Sequence, residues 1–266
     1  MGFSPDGLRF TPSAANPILD PNDSVEQENH FLMLAPRGGR WLMPYEYGWY
    51  CPNGLGNFGQ YMADVRLAVS EDGERFRRLN PHQKLIDRGA PGQWDDTILV
   101  VADKPVIASD TVHLFYAGAG AQWTCWASNN QPESLAHNVG ANCVGRMGLA
   151  TLRRDGWTCL ETADGASFGS ATSKEIEASE RGSALKLNLS RAMPQRSFVT
   201  VEVIDAATGQ VIKGLDRASC RPLDRDDLDA TVTWRGRSLA DAPARPIRLR
   251  FHFCGAVRLH AFAIEQ

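Results

Sequence analysis

Ser4-Pro5-Asp6-Gly7-Leu8-Arg9-Phe10 and Ser70-Glu71-Asp72-Gly73-Glu74-Arg75-Phe76 are two copies of one phrase, S-x-D-G-x-x-F. A looser copy, Leu149-Ala150-Thr151-Leu152-Arg153-Arg154-Asp155-Gly156-Trp157, follows later. A strand, a tight Asp-Gly turn and an aromatic that recur well beyond hairpin spacing indicate a repeat architecture. A full strand, Met62 to Val69, precedes the second copy, whereas the first copy begins almost at Met1. The chain therefore reads as starting near the end of a repeat.

Outward from the second copy the pattern is β. Stretches rich in β-branched and aromatic residues are separated by Gly, Pro, Asn and Asp. Phe31 to Ala35 and Arg40 to Tyr47 read as strands joined by the hairpin loop Pro36-Arg37-Gly38-Gly39. Tyr61 to Ser70 is a third strand, with Tyr61, Ala63, Val65, Leu67 and Val69 on one face and Met62, Asp64, Arg66 and Ala68 on the other. Phe76 to Leu79 is a short fourth. The order then restarts with Thr97 to Ala102, Thr111 to Ala117 and Arg146 to Leu152. The linkers Asn16-Pro17-Ile18-Leu19-Asp20 and Asn80-Pro81-His82-Gln83-Lys84-Leu85-Ile86-Asp87 also correspond. Each unit thus reads as about four strands, the blade of a β-propeller. A general β-sandwich is the competing reading, because such turns also occur singly.

From about Glu161 the character changes. Residues 161–182 are small, polar and acidic and read as a connector. Ala184 to Leu189, Phe198 to Asp205, Ala230 to Arg235, Pro246 to Phe253 and Val257 to Ile264 read as strands of a β-sandwich. Alternation across Phe198 to Asp205 predicts a half-buried antiparallel strand. No helix is expected. The expected fold is all-β, with a partial propeller over 1–160, the connector, and a sandwich over 183–266.

Composition narrows the function. Of 266 residues, 43% are apolar and 22% charged, as in soluble globular proteins. A net charge of -3 gives no electrostatic case for nucleic acid. No apolar run approaches the roughly 20 residues of a membrane-spanning helix. The first residues lack the basic and apolar regions of a signal peptide, which predicts a cytoplasmic protein if that N-terminus is native. Cys51, Cys125, Cys143, Cys159, Cys220 and Cys254 include no C-x-x-C pair, so free and mostly buried thiols are expected rather than a zinc site. Cys125 and Cys143 are the one pair worth testing for a disulfide.

Two loops before apolar strands concentrate carboxylates. One runs Asp20 to His30 and contains Glu28; the other is Gly89-Ala90-Pro91-Gly92-Gln93-Trp94-Asp95-Asp96. Cleaving a glycosidic bond needs one carboxyl to protonate the leaving oxygen and another to attack or to activate water. Asp95 and Asp96 are the leading candidates, with Asp96 preferred because it abuts the strand. A turn cap is the alternative use of either. Glu28 is the next candidate, against a solvated loop role. Glu46, between Tyr45 and Tyr47, sits where burial raises a carboxyl toward the range of a general acid. Asp64 and Arg66 read as an ordinary surface pair.

Trp94, Trp49, Trp123, Trp126, Tyr47 and Tyr116 lie in or beside the same loops, where flat rings can pack on sugar faces or in a core. His30, His113 and His137 have no metal-type spacing and read as polar contacts or core residues. Neither a metal nor a cofactor is predicted, and no nucleophilic Ser or Cys is assigned.

Asp64-Val65-Arg66-Leu67-Ala68-Val69-Ser70-Glu71-Asp72-Gly73 resembles a blade of the five-bladed glycosidase propellers. So does Gly92-Gln93-Trp94-Asp95-Asp96 with Phe115-Tyr116-Ala117-Gly118. The chain is similar to glycoside hydrolase families 32 and 43, and the segments Arg248 to Phe253 and Val257 to Phe262 are similar to the β-sandwich that ends several relatives. The resemblance implies hydrolysis of a furanoside or pentoside in a small carbohydrate by two or three channel carboxylates. Five blades need roughly 300 residues, and 1–160 supply about two, so the chain reads as the C-terminal part of such a propeller. The other function carried forward is a non-catalytic carbohydrate-binding module, or a remnant of a glycosidase. Unburied blade faces and edges predict a homo-oligomer.

Overall fold

The computed structural model describes residues 1–20, 25–51, 60–120, 145–163, 166–177 and 182–265. The described chain is all-β, with antiparallel pairing throughout its sheets. It divides into two compact units, Met1–Leu152 and Arg153–Gln266.

In the first unit, β1 (Gly2–Phe3) pairs with β2 (Thr11–Pro12) around the first phrase. A four-stranded sheet follows: β3 (Ala35–Arg37), β4 (Arg40–Cys51), β5 (Gln60–Ser70) and β6 (Arg77–Arg78). β5 and β6 flank the second phrase. Their register, Ala68↔Arg78 and Val69↔Arg77, is that of β1 and β2, Gly2↔Pro12 and Phe3↔Thr11, moved by the 66 positions from Ser4 to Ser70.

The turns are copied atom by atom. Asp6 Oδ1 accepts the Leu8 and Arg9 amides at 2.9 Å each, and Ser4 Oγ accepts the Gly7 amide at 2.8 Å. Asp72 Oδ1 accepts the Glu74 and Arg75 amides at 2.8 Å each, and Ser70 Oγ accepts the Gly73 amide at 2.8 Å. Gly7 and Gly73 have φ of 74° and 79°, a conformation that costs glycine little. The third phrase departs from this plan. Arg153 replaces the serine, and the positive φ of 56° falls on Asp155 instead of the glycine.

An extended segment runs along β4 before β3. Glu28 bridges to Gly48 and Leu32 to Tyr45, so the expected strand at 31–35 pairs with β4 only intermittently until Ala35. The hairpin turn contracts to Gly38-Gly39, both at positive φ, because Arg37 pairs directly with Arg40. The second sheet contains β7 (Ile98–Val101), β8 (Val106–Ala108), β9 (Thr111–Ala119) and β10 (Arg146–Arg153), in the order β10-β9-β7 with β8 also on β9. β8 was not expected from sequence. The two sheets of this unit meet where Tyr61 and Ala63 pack on Ile98 and Val100.

β5 is buried on both faces, and this overturns one expectation. Asp64 and Arg66 are a buried pair, with Nε donating to Oδ1 at 2.9 Å, and not a surface one. Arg66 lies 3.3 Å from the centre of the Tyr47 ring, which covers the pair and removes it from water.

The second unit is a sandwich of two three-stranded sheets, β11-β15-β13 and β14-β12-β16. Its strands are β11 (Phe168–Thr172), β12 (Ala184–Ser190), β13 (Phe198–Asp205), β14 (Asp227–Thr231), β15 (Ile247–Cys254) and β16 (Arg258–Glu265). Leu185, Leu187 and Leu189 from one sheet meet Val199, Val201, Val203, Leu249 and Phe251 from the other. Trp234 fills the centre, and its indole N–H donates to Val201 O at 2.7 Å, which removes the cost of burying that group.

β11 lies inside the stretch read as a connector. The expected outward residues of β13, Thr200, Glu202 and Ile204, are buried as well, so the strand is not half-exposed. Arg250 and His252 on β15 reach Glu202 at 3.0 and 3.2 Å and help to cover that face. One 3-10 turn, Leu239–Asp241, interrupts the β pattern and is closed by a capping box between Ser238 and Asp241. Cys220 is buried, which pushes its thiol up to about 11, while Cys159 and Cys254 are partly buried and free.

Candidate carboxylate site

Alternation along β4 sorts the predicted residues. Glu46, Gly48 and Tyr50 share one face; Tyr45, Tyr47 and Trp49 share the other. Glu46 therefore does not meet Tyr47 or Trp49, which were expected to share its site. Tyr47 holds Arg66 instead, and Trp49 lies under Arg88 with its guanidinium carbon 5.2 Å from the ring centre.

Glu46 gathers a different set. Its carboxyl is 1% exposed. Tyr61 Oη donates to Oε1 at 2.7 Å, and the Phe31 amide donates to Oε2 at 3.1 Å. Burial pushes the carboxyl above its ordinary value, and the Tyr61 hydrogen bond is the largest of the opposing contributions. Tyr61 reaches Glu46 because Gly48, which stands between Tyr50 and Glu46 on that face of β4, leaves room for its ring. A Cβ there would stand 2.0 Å from Tyr61 Oη and 3.0 Å from Glu28 O.

Glu28 joins the same group from the extended segment. Its Oε2 lies 2.6 Å from His30 Nε2, and Tyr50 Oη donates to both carboxylate oxygens at 3.2 Å. The Tyr61 ring stands 5.0 Å from Tyr50 and 5.7 Å from His30. The Glu28 side chain keeps 34% of its surface exposed, so it is the solvent-facing member of the set. The Asn29 amide donates to the Glu46 backbone carbonyl at 2.7 Å and to Glu26 Oε1 at 3.0 Å. Glu26 is buried on Arg78, whose Nε also donates to Tyr45 Oη at 3.0 Å.

Glu28, His30 and Glu46 were therefore brought together, and Tyr50 and Tyr61 were missed. The signal for the two tyrosines was present. Tyr61 heads the face of β5 that pairs across with Glu46, Gly48 and Tyr50. Only the register, Tyr50↔Tyr61, was lacking.

A second group forms on the other sheet. Trp94 stacks on Tyr116 at 5.8 Å with 11° between the planes, and Tyr116 Oη donates to Asp95 Oδ2 at 3.0 Å. Gly118 makes room for both, since a Cβ there would stand 2.8 Å from Asp95 Cβ and from Trp94 Cζ3. Asp96 has a separate occupation. Its Oδ2 accepts the Gly92 amide at 2.6 Å and its Oδ1 accepts Thr97 Oγ1 at 2.9 Å. The sequence-preferred carboxylate thus holds the turn into β7. Trp123, Trp126, His137, Cys125 and Cys143 lie outside the described residues. Among the described residues no three His, Cys, Asp or Glu side chains are grouped so as to hold a metal ion.

No protein-family model matches the chain, and no curated protein matches it. Among solved structures it is similar to a glycoside hydrolase family 43 arabinoxylan arabinofuranohydrolase from Bacillus subtilis, in complex with cellotetraose. The identity is 10% and the TM-score 0.23, over 89% of this chain and 54% of that one. The chain spans about half the length of that protein.

Proposed function

We propose that the chain is a glycoside-hydrolase-like protein that acts on furanoside or pentoside linkages through Glu28 and Glu46. The reading rests on the contrast between two carboxyls on one face. Glu46 is dehydrated and holds its proton to higher pH, while Glu28 meets solvent. Glycosidic cleavage divides its work in this way: one protonated carboxyl gives its proton to the leaving oxygen, and one carboxylate attacks the sugar carbon or activates water. Tyr50 and His30 fix the orientation of Glu28, and Tyr61 fixes that of Glu46. Trp94, Tyr116 and Asp95 form a flat polar-edged plate suited to a sugar ring.

The burial of Glu46 favours a second reading. A carboxyl 1% exposed does not itself touch a ligand at the surface. On that reading the chain binds a small carbohydrate at Glu28 and the ring plate without cleaving it.

A panel of aryl pentofuranosides and pentopyranosides separates the two. Turnover that Glu28→Gln abolishes, and whose acidic pH dependence Glu46→Gln alters, supports the enzyme. Saturable sugar binding without turnover supports the module. Neither turnover nor binding overturns both.

A further inference from the structure

The outer face of the sheet β14-β12-β16 carries a polar group that the carboxylate site does not use. Along β12, Leu185, Leu187 and Leu189 fill the sandwich core, so Asn188 and Ser190 point to the other face. On β16 the register passes from Leu189↔Leu259 to Asn188↔Ala261 and leaves His260 as an extra, bulged residue. A bulge re-aims a side chain, and here His260 Nε2 lies 2.8 Å from Ser190 Oγ.

The second ring nitrogen fixes the direction of that bond. Nδ1 lies 3.2 Å from Thr158 O. A backbone carbonyl only accepts, so Nδ1 carries the proton and Nε2 of the neutral ring presents its lone pair to the Ser190 hydroxyl. Burial is the largest cause of a lowered proton affinity at His260, and Arg153 and Arg258 add to it against Thr158 O and Asp226. The ring is therefore neutral near pH 7 and able to take a proton.

Two further features separate this pair from a hydrogen bond that only braces the sheet. Arg191, directly after Ser190, stands at a φ of 57°, which is costly for a residue with a side chain. Ser197 Oγ donates to Arg191 O at 2.7 Å, and the Ala192 amide donates to Asp226 Oδ1 at 2.8 Å, which holds it there. Arg153 Nε and Asn188 Oδ1 are also buried with no hydrogen-bond partner among the described residues. Both side chains are otherwise anchored: Asn188 Nδ2 donates to Arg154 O at 2.5 Å and Arg153 Nη2 to Asp227 O at 3.2 Å. Asn188 is only 4% exposed, so its open acceptor calls for a partner.

We propose that Ser190 and His260 form a second site, which transfers the acyl group of a small carboxylic ester to water. Ser190 Oγ attacks the ester carbonyl carbon as its proton passes to His260 Nε2. The tetrahedral intermediate collapses, the bond to the alcohol oxygen breaks, and the alcohol leaves with the proton from His260. Water then attacks the acyl-serine and gives a proton to Nε2; Ser190 Oγ takes that proton back as the acid departs. Thr158 O keeps the ring in the required tautomer, the part that a carboxylate plays in a triad. Arg153, whose charge already acts on His260, is the cation available to the carbonyl oxygen that becomes negative.

The full chain is treated with a fluorophosphonate probe, and the labelled residue is identified by mass spectrometry. Labelling of Ser190 ahead of the other serines is expected, with hydrolysis of 4-nitrophenyl acetate that begins in a burst. Ser190→Ala should abolish both. His260→Gln should slow labelling by about 100-fold or more, the usual share of a general base. In the parent the labelling rate should rise with pH through one ionisation below 6.5, and His260→Gln should lose that step. Melting temperatures near the parent value show that the variants are folded; should His260→Gln not fold, the pH profile of the parent carries the same test. A Ser190 that labels no faster than the other serines overturns the proposal, as does a labelling rate indifferent to His260 or to pH across that step.

Discussion

On β4 a glutamate and a glycine alternate, Glu46 and Gly48; on β9 a tyrosine and a glycine do, Tyr116 and Gly118. Each glycine clears room for a group reaching over the strand, Tyr61 in the first case and Asp95 with Trp94 in the second. Both arrangements end in a tyrosine donating to a carboxylate, at 2.7 Å and 3.0 Å. The parts are exchanged, however. In the first the carboxyl is rooted in a central strand and the phenol comes from its neighbour. In the second the phenol is rooted in the strand and the carboxyl comes from a loop. A carboxyl rooted in a strand is dehydrated by the sheet around it, whereas one on a loop keeps part of its water. The rooting of the pair therefore decides which carboxyl is dehydrated, and burial raises the proton affinity of Glu46.

The largest expected effect comes from filling the two glycine positions. Gly48→Ala places a methyl 2.0 Å from Tyr61 Oη and 2.7 Å from Cζ in a closed region. The ring must leave Glu46, at a cost of about 1–3 kcal/mol or more. Gly118→Ala meets Asp95 and Trp94 at 2.8 Å, but these are half-buried loop residues that can yield, so a smaller loss is expected. Denaturant midpoints measure both, and equal losses would break the comparison.

Removing the phenol oxygens tests the same contrast more gently. Tyr61→Phe deprives a buried carboxyl of its donor and should cost about 1–3 kcal/mol, against about 0.5–1.5 kcal/mol for Tyr116→Phe, whose partner can turn to water. Tyr61→Phe also removes the hydrogen bond that most holds the Glu46 proton affinity down, so that carboxyl should titrate higher still. Carboxyl carbon shifts followed by NMR across pH report this directly. An unchanged or lower titration point for Glu46 contradicts the assigned cause.

Glu46 also gives the first sheet a pH signature. Its folded carboxyl binds a proton at pH values where the unfolded one, near 4.5, has lost it. The native state then holds more protons, so this residue's contribution to stability falls as pH rises above the unfolded value. Glu46→Gln removes the effect. The variant should be relatively more stable near neutral pH than in acid when compared with the parent. A variant-minus-parent difference in melting temperature that falls as pH rises would refute the dehydrated carboxyl.

The repeat itself was legible because its turn is local. Ser, Asp and Gly at fixed offsets satisfy each other within seven residues, so the phrase carries its own hydrogen bonds. The Glu46 cluster was half legible for the same reason inverted. Alternation put Glu46 and Tyr47 on opposite faces of β4, but the partners Tyr50 and Tyr61 depend on a cross-strand register set by chain between them. Asp96 was ambiguous in sequence because a carboxylate before a strand serves a turn and a site equally well, and in the fold it bonds Gly92 and Thr97. β11 hid in a polar stretch because its pairing on β15, with alternate residues half-buried, needs no apolar face of its own.

The two copies of the phrase offer the finest comparison, since their turns match and only their surroundings differ. Both aspartates are held below the ordinary carboxylate value by the amides they accept, Arg9 and Leu8 for Asp6, and Arg75 and Glu74 for Asp72, which is held down to about 2. Depressed carboxylates contribute stability above the unfolded value of 3.8 and lose it as pH falls toward the folded one. The second turn has further support, because Gly73 lies against the Trp41 indole and Glu74 accepts Ser13 Oγ at 2.7 Å. The first is exposed, and among the described residues its aspartate and serine bond only within the turn. Amide exchange should therefore be slower at Gly73 than at Gly7 near neutral pH, and the protection of both, relative to the intrinsic rate at each pH, should fall as acid reaches the aspartates. Asp72→Asn should remove most of that acid sensitivity at Gly73 while leaving Gly7 unchanged. If the two glycines exchange alike in the parent, Trp41 and Ser13 add nothing to the turn, and the phrase alone accounts for its stability.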